Sequence, residues 1–201
     1  MKKFLIALTL LFSLSLADSI SAQTAKEVLD KCAATLNTAS GLKADFTMHS
    51  AQYGSASGTI ALKGRMFHAS TAVAAMWFDG KTQWTYMKKN DEVNVSNPSQ
   101  AQLQTLNPYN FINMYKQGYK YTMTKDDNNF TVHLTATGKK QISEMFITVD
   151  KKSYQPTQVK LLQGKKWTTF TIANLTKAAM ADSDFRFNSK DYPTAEVIDL
   201  R

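Results

Sequence analysis

A single cysteine, Cys32, excludes an internal disulfide. It falls on the apolar face of a helical pattern and reads as a small buried hydrophobe, not a nucleophile. Histidine is nearly as scarce. His49, His68 and His133 lie on separate strand patterns, with no metal-ligand spacing and no cysteine pair nearby. The chain has no G-x-S-x-G, no H-E-x-x-H and no phosphate loop. The few carboxylates mostly flank turn signals (Asp79, Asp91, Glu92, Asp126, Asp127, Asp150) and read as turn formers. Nothing here expects an enzyme, a metal or a cofactor.

Acidic residues are also in deficit: 16 against 24 Lys and Arg, a formal charge of +8. A nucleic-acid binder clusters its basic residues with interleaved aromatics. Here the lysines come in pairs near turns, as Lys88-Lys89, Lys139-Lys140, Lys151-Lys152 and Lys165-Lys166. That pattern protects hairpin ends and sheet edges. The charge favours acidic protein surfaces or anionic lipid head groups over nucleic acid.

Long hydrophobic runs are missing too. The run Phe4–Leu16 is shorter than the roughly 20 residues of a membrane-spanning helix. Lys2-Lys3 precede it and small residues follow at Ala17, Ser19, Ser21 and Ala22. This describes a secretory signal peptide: cleavage fits after Ala17 or after Ala22, and Ala22 is preferred, giving a leader over residues 1–22 and one domain over 23–201. No cysteine ends the run to accept a lipid. The compartment expected is therefore outside the cytoplasm.

Thr24-Ala25-Lys26-Glu27 is a capping-box pattern, and Ala25, Val28, Leu29, Cys32, Ala33 and Leu36 repeat at the spacing of one helical face. Ser40-Gly41 supplies the stop. Strand patterns follow at Leu42–Gln52, Ser57–Lys63, Arg65–Ala69, Ala72–Phe78, Thr82–Lys88 and Glu92–Ser96. Five more come at Tyr119–Lys125, Phe130–Ala136, Glu144–Asp150, Thr157–Gln163 and Lys166–Asn174. This spacing predicts an all-antiparallel meander, closed or nearly closed into a barrel.

Asp79-Gly80 and Asn90-Asp91 mark tight hairpins. A two-residue turn at Asp79-Gly80 places Trp77 on one face with Thr82, Trp84 and Tyr86. Between strands, Asn97-Pro98 and Asn107-Pro108 each open a short helix. The apolar residues of this insertion (Leu103, Leu106, Phe111, Ile112, Met114, Tyr115) need a surface to cover, and the concave side of the sheet is the economical one. Residue types alone leave two readings of the aromatic sheet face: an ordinary core or the wall of a cavity.

Several segments appear in a familiar order: Ala44-Asp45-Phe46-Thr47, then Gly58-Thr59-Ile60-Ala61-Leu62-Lys63-Gly64, then Phe78–Tyr86 with its D-G-K-T-x-W-x-Y. Asn107-Pro108 and the ending Glu196–Arg201 complete the series. The chain resembles the LolA family of periplasmic outer-membrane lipoprotein carriers over essentially all of residues 23–201. The resemblance implies an unclosed antiparallel β-barrel of about eleven strands, mainly β with minor α, whose N-terminal helix and short helices cover the concave face. It implies a non-catalytic monomer that shields lipoprotein acyl chains. The partners implied are acylated lipoproteins, an inner-membrane lipoprotein-release ABC transporter complex and an outer-membrane acceptor.

On that reading strand parity selects Ile60, Leu62, Trp77, Trp84, Tyr86, Val93, Val95, Tyr121 and Met123 as acyl-chain lining. The helical insertion adds Phe111 and Met114. One departure stands out: the family often places Arg-Pro after the lysine of its second strand, whereas here Gly64-Arg65 follow Lys63. Alternation then turns Arg65 to the other face. Two other functions fit the same residues: a lipid- or lipoprotein-sensing module of this fold, and a secreted hydrolase of small apolar esters.

Overall fold

The computed structural model describes residues 23–99, 102–103 and 113–201. Helix α1 spans Ala25–Leu36 and begins with the expected capping box. The Thr24 hydroxyl accepts from the Glu27 amide at 3.2 Å, and the Glu27 carboxylate accepts from the Thr24 amide at 2.9 Å. Its buried stripe is Val28, Leu29, Cys32 and Leu36. Gly41 then turns the chain into the sheet at φ +110°, where any Cβ would also meet the Leu62 carbonyl oxygen at 3.1 Å.

Twelve strands follow. The first half holds β1 (Leu42–Ser50), β2 (Gly54–Lys63), β3 (Met66–Thr71), β4 (Ala74–Phe78), β5 (Gln83–Met87) and β6 (Glu92–Ser96). The second holds β7 (Tyr119–Lys125), β8 (Asn129–Ala136), β9 (Ile142–Asp150), β10 (Pro156–Gln163), β11 (Lys166–Lys177) and β12 (Glu196–Asp199). The sheet order is β12-β6-β5-β4-β3-β2-β1-β11-β10-β9-β8-β7. Two meanders are thus joined where β1 pairs with β11. β12 and β7 do not pair with each other, so the sheet stays open, as an unclosed barrel does.

The first eleven strands fall on the eleven sequence patterns. β12 corrects the all-antiparallel expectation, because it pairs parallel to β6, with Val197 opposite Val93 and Asp199 opposite Val95. A parallel pair needs a crossover connection. Residues 178–195 supply it as a strap that contains two short 3₁₀ turns, Asp182–Phe185 and Ser189–Asp191. Of the helical insertion, the described parts are a turn at Leu103, whose amide donates to Ser99 at 3.0 Å, and a 3₁₀ turn at Met114–Lys116. The rest of that expectation lies outside the described residues.

The β4–β5 connection is four residues long, not two. Asp79 accepts from the amides of Lys81 and Thr82 at 3.0 and 2.9 Å, which stabilises the longer turn. Adding two residues preserves parity. Trp77 faces Trp84, and on the next pair Tyr86 faces Val93. Asp126 and Asp150 organise their turns in the same way, through the amides of Asn128, Asn129, Lys152 and Ser153. β2 and β3 approach closely at Gly58, where a Cβ would stand 1.9 Å from the Ser70 carbonyl oxygen.

The main core lies on the inner face of the sheet. There Val132, Leu134, Met145, Ile147 and Val149 are fully buried together with Val28, Leu29 and Cys32 of α1. The helix sits over β7 and β8. It therefore covers one half of the inner face and reaches the other half only with its C-terminal residue Leu36.

Candidate functional site

The half of the inner face that α1 leaves uncovered forms a cavity of about 510 Å³. β1 contributes Ala44, Phe46 and Met48, and β2 contributes Ala56, Ile60 and Leu62. Phe67, Ala69 and Met76 come from β3 and β4, Val159 and Leu161 from β10, and Phe170 and Ile172 from β11. Leu36 closes the side towards the helix. Alternation explains the set: each wall strand presents every second residue, and those residues are apolar. Among the described residues, no ionisable group belongs to this lining apart from the Tyr53 phenol. The uncharged polar members, Thr71, Gln141, Gln163 and Thr168, all stand near one end of the strands, as does Tyr53. A cavity of this size lies within the range of small-ligand sites, and such walls offer dispersion contacts and little else.

The residues expected from sequence divide between the two faces. Ile60 and Leu62 line the cavity. Met114, Tyr121 and Met123 are half-buried on the same inner face but pack against the core beside α1, outside the cavity wall. Phe111 lies outside the described residues. Trp77, Trp84, Tyr86, Val93 and Val95 do not line the cavity. Met76 does, and its neighbour Trp77 must point the other way. The shared face proposed for Trp77, Trp84 and Tyr86 is real, but it is the back of the sheet.

The strap covers that back face. Phe185 is fully buried under it. The rings of Phe187 and Tyr192 each meet Trp77 at 5.6 Å, edge-on, and Tyr192 meets Tyr86 at 4.6 Å. His68 stacks on the remaining side of Trp77 at 5.0 Å. Two ion pairs tie the strap down: Lys63 with Asp182 at 2.8 Å, and Arg186 with Asp79 at 3.2 Å. Lys63 also donates to the Met180 carbonyl at 2.8 Å. The second-strand lysine therefore reaches this covering segment. Sequence reasoning left Phe185, Phe187 and Tyr192 unassigned; their clustering in an otherwise polar stretch was the available signal.

Burial controls the titrating groups near these surfaces. The Cys32 thiol is pushed up to about 12, so it stays protonated and unreactive. Burial also lowers His68 from its ordinary 6.5, against a smaller upward pull from Asp184. The hydrogen bond from Lys26 holds the Asp30 carboxyl low, helped by the Tyr115 hydroxyl. His49 pairs with the Ser55 hydroxyl and His133 with Glu144. Among the described residues no three His, Cys, Asp or Glu side chains converge as metal ligands would.

Comparison with known proteins agrees with this geometry. The model of the family described as outer membrane lipoprotein carrier protein LolA matches residues 16–165. No curated protein matches the chain significantly. Among solved structures, a conserved protein from Thermus thermophilus is 12% identical, with a TM-score of 0.59 over 88% of this chain and 99% of that one. A LolA superfamily protein from Nitrosomonas europaea is 11% identical, with a TM-score of 0.46 over 83% and 99%. The Mycobacterium tuberculosis lipoprotein LppX is 11% identical, with a TM-score of 0.44 over 78% and 99%. The first of these shows a shared fold; the other two are too distant to carry an argument.

Proposed function

The chain belongs to the LolA family of outer membrane lipoprotein carrier proteins, and on that premise we propose that it is an exported carrier of lipoproteins. Residues 1–22 direct export and are removed, and residues 23–201 act as one domain. The acyl chains of a lipoprotein enter the inner cavity and are shielded there between the inner and the outer membrane. The observation that carries this reading is the apolar cavity beside α1, whose lining among the described residues carries no Asp, Glu, Lys, Arg or His side chain. Each buried methylene is worth roughly 0.8 kcal/mol, so long acyl chains do not cross water unshielded. A sheet whose edge strands β7 and β12 do not pair also lets the chains leave again. A release transporter in the inner membrane and an acceptor in the outer membrane complete the route.

Depletion in the native cell tests the proposal. Lipoproteins accumulate in the inner membrane if the reading holds, and the protein purified from the periplasm carries lipoprotein detectable by mass spectrometry. Normal lipoprotein sorting after depletion refutes it.

A further inference from the structure

Five hairpin connections lie at the same end of the sheet: residues 51–53, 72–73, 88–91, 137–141 and 164–165. This is the end at which the polar members of the cavity wall gather. The cavity reaches these hairpin tips, where Tyr53 and Gln141 line it from within two of them.

The composition of these tips is unusual. Among the described residues, three of the large hydrophobic side chains exposed to solvent sit at this end: Tyr53 (66% exposed), Val73 (63%) and Met87 (38%). The other two, Val197 and Leu200, lie at the β12 edge. The same tips carry Lys88, Lys89, Lys139, Lys140 and Lys165, with Lys166 starting β11, and all are exposed. Asp91 is the acidic residue within these connections and already accepts a hydrogen bond from Tyr86, while Glu92 and Glu196 start β6 and β12 at the same end, three carboxylates against six lysines. The opposite end mixes Arg65, Lys81, Lys151 and Lys152 with Asp79, Asp126 and Asp127 in its connections. Apolar tips and an excess of positive charge therefore coincide at one end, beside the polar members of the cavity wall.

We propose that this rim docks directly on an anionic phospholipid bilayer, with Tyr53, Val73 and Met87 entering the head-group layer and the lysines holding lipid phosphates. Separate apolar side chains projecting from successive turns suit a fluid surface. A protein partner is better met by one contiguous, packed patch with buried anchors. Tyrosine prefers the membrane–water interface, and lysine stems snorkel there while their ammonium groups stay wet. Lysines near an anionic leaflet attract it within a Debye length. The inference rests on the carrier reading for its purpose: a docked rim passes acyl chains between bilayer and cavity without exposing them to water.

The test uses the full mature chain and vesicles of phosphatidylglycerol with phosphatidylcholine, or of phosphatidylcholine alone. Co-sedimentation at low salt is expected with anionic vesicles only, and is expected to fall at least tenfold as salt shortens the Debye length to about 3 Å near 1 M. Reversing Lys89, Lys139, Lys165 and Lys166 to Glu is expected to weaken it at least tenfold while circular dichroism stays native. A Val73→Cys variant carrying an environment-sensitive fluorophore is expected to shift to the blue only with anionic vesicles; Cys32 is buried and does not compete for the label. No binding at low salt, binding unchanged by charge reversal, or a label that stays aqueous on bound protein each overturns the proposal. Charge reversal that spares vesicle binding but blocks lipoprotein delivery also overturns it and assigns the lysines to an acidic protein. Met76→Glu separates the two readings, since it is expected to abolish acyl-probe binding in the cavity and leave vesicle binding intact.

Discussion

Met76 and Trp77 are adjacent on β4 and point to opposite sides of the sheet, so truncating each isolates one face. Trp77 is 5% exposed and is held by His68, Phe187 and Tyr192. Trp77→Ala removes that packing and leaves a hole that the strap cannot fill. The expected loss is about 3–5 kcal/mol of stability. At about 2–4 °C per kcal/mol for a domain of this size, the melting temperature falls by roughly 6–20 °C. Met76 is only half-buried because one side already borders the cavity. Met76→Ala therefore costs less than the usual core truncation, about 1–2 kcal/mol. It also removes wall contacts from a bound acyl chain. Losing the equivalent of one methylene contact, about 0.8 kcal/mol, weakens binding roughly fourfold. Urea denaturation gives the stabilities, and titration with a fluorescent fatty acid below the unfolding range gives the affinities. Trp77→Ala is expected to leave the affinity of the folded protein unchanged. A Trp77→Ala protein that is stable but binds the probe weakly would refute the assignment of faces.

Three further outcomes follow from the same geometry. Gly58→Ala pushes a Cβ against the rigid Ser70 backbone, so it should cost about 1–3 kcal/mol by denaturant titration; a neutral effect contradicts the close approach of β2 and β3. His68 has a folded pKa below its ordinary 6.5 because of burial, with Asp184 pulling it up slightly and Lys43 pushing it down. The unfolded chain then takes up this proton first, so stability is full above pH 6.5 and declines as pH falls below it. Melting curves of the wild type against His68→Gln should show that decline flattened in the variant. Cys32, with its thiol near 12 and no exposure, should resist a thiol reagent in native buffer and react in urea; rapid native labelling contradicts its placement under α1.

Local chemistry made most of the elements legible. The Thr24–Glu27 box, the alternating strands and the aspartate turns are set by neighbours a few residues apart, and each appears where its pattern predicts. The β4–β5 turn shows how forgiving parity is: a connection longer by two residues still sets Trp77 against Trp84. What alternation does not encode is which face looks inward. Large aromatic side chains on one face of β4 and β5 predict burial and say nothing of what buries them. The answer lies about a hundred residues away, in Phe185, Phe187 and Tyr192, on a strap with no periodic signature. β12 escaped for a related reason: four residues in a parallel pair at an edge give too short a run to stand out. The cavity wall itself was partly hidden because its members are of ordinary size. Phe46, Met76 and Phe170 matter through what they leave empty.

The most direct measurement is photo-crosslinking of a lipoprotein whose acyl chains carry a photoreactive group, followed by peptide mapping. The account predicts labels on Phe46, Met48, Met76, Phe170 and Ile172, inside the cavity. Labels on Trp84, Tyr86, Val93 or Val95, or no acyl-dependent labelling at all, would contradict it.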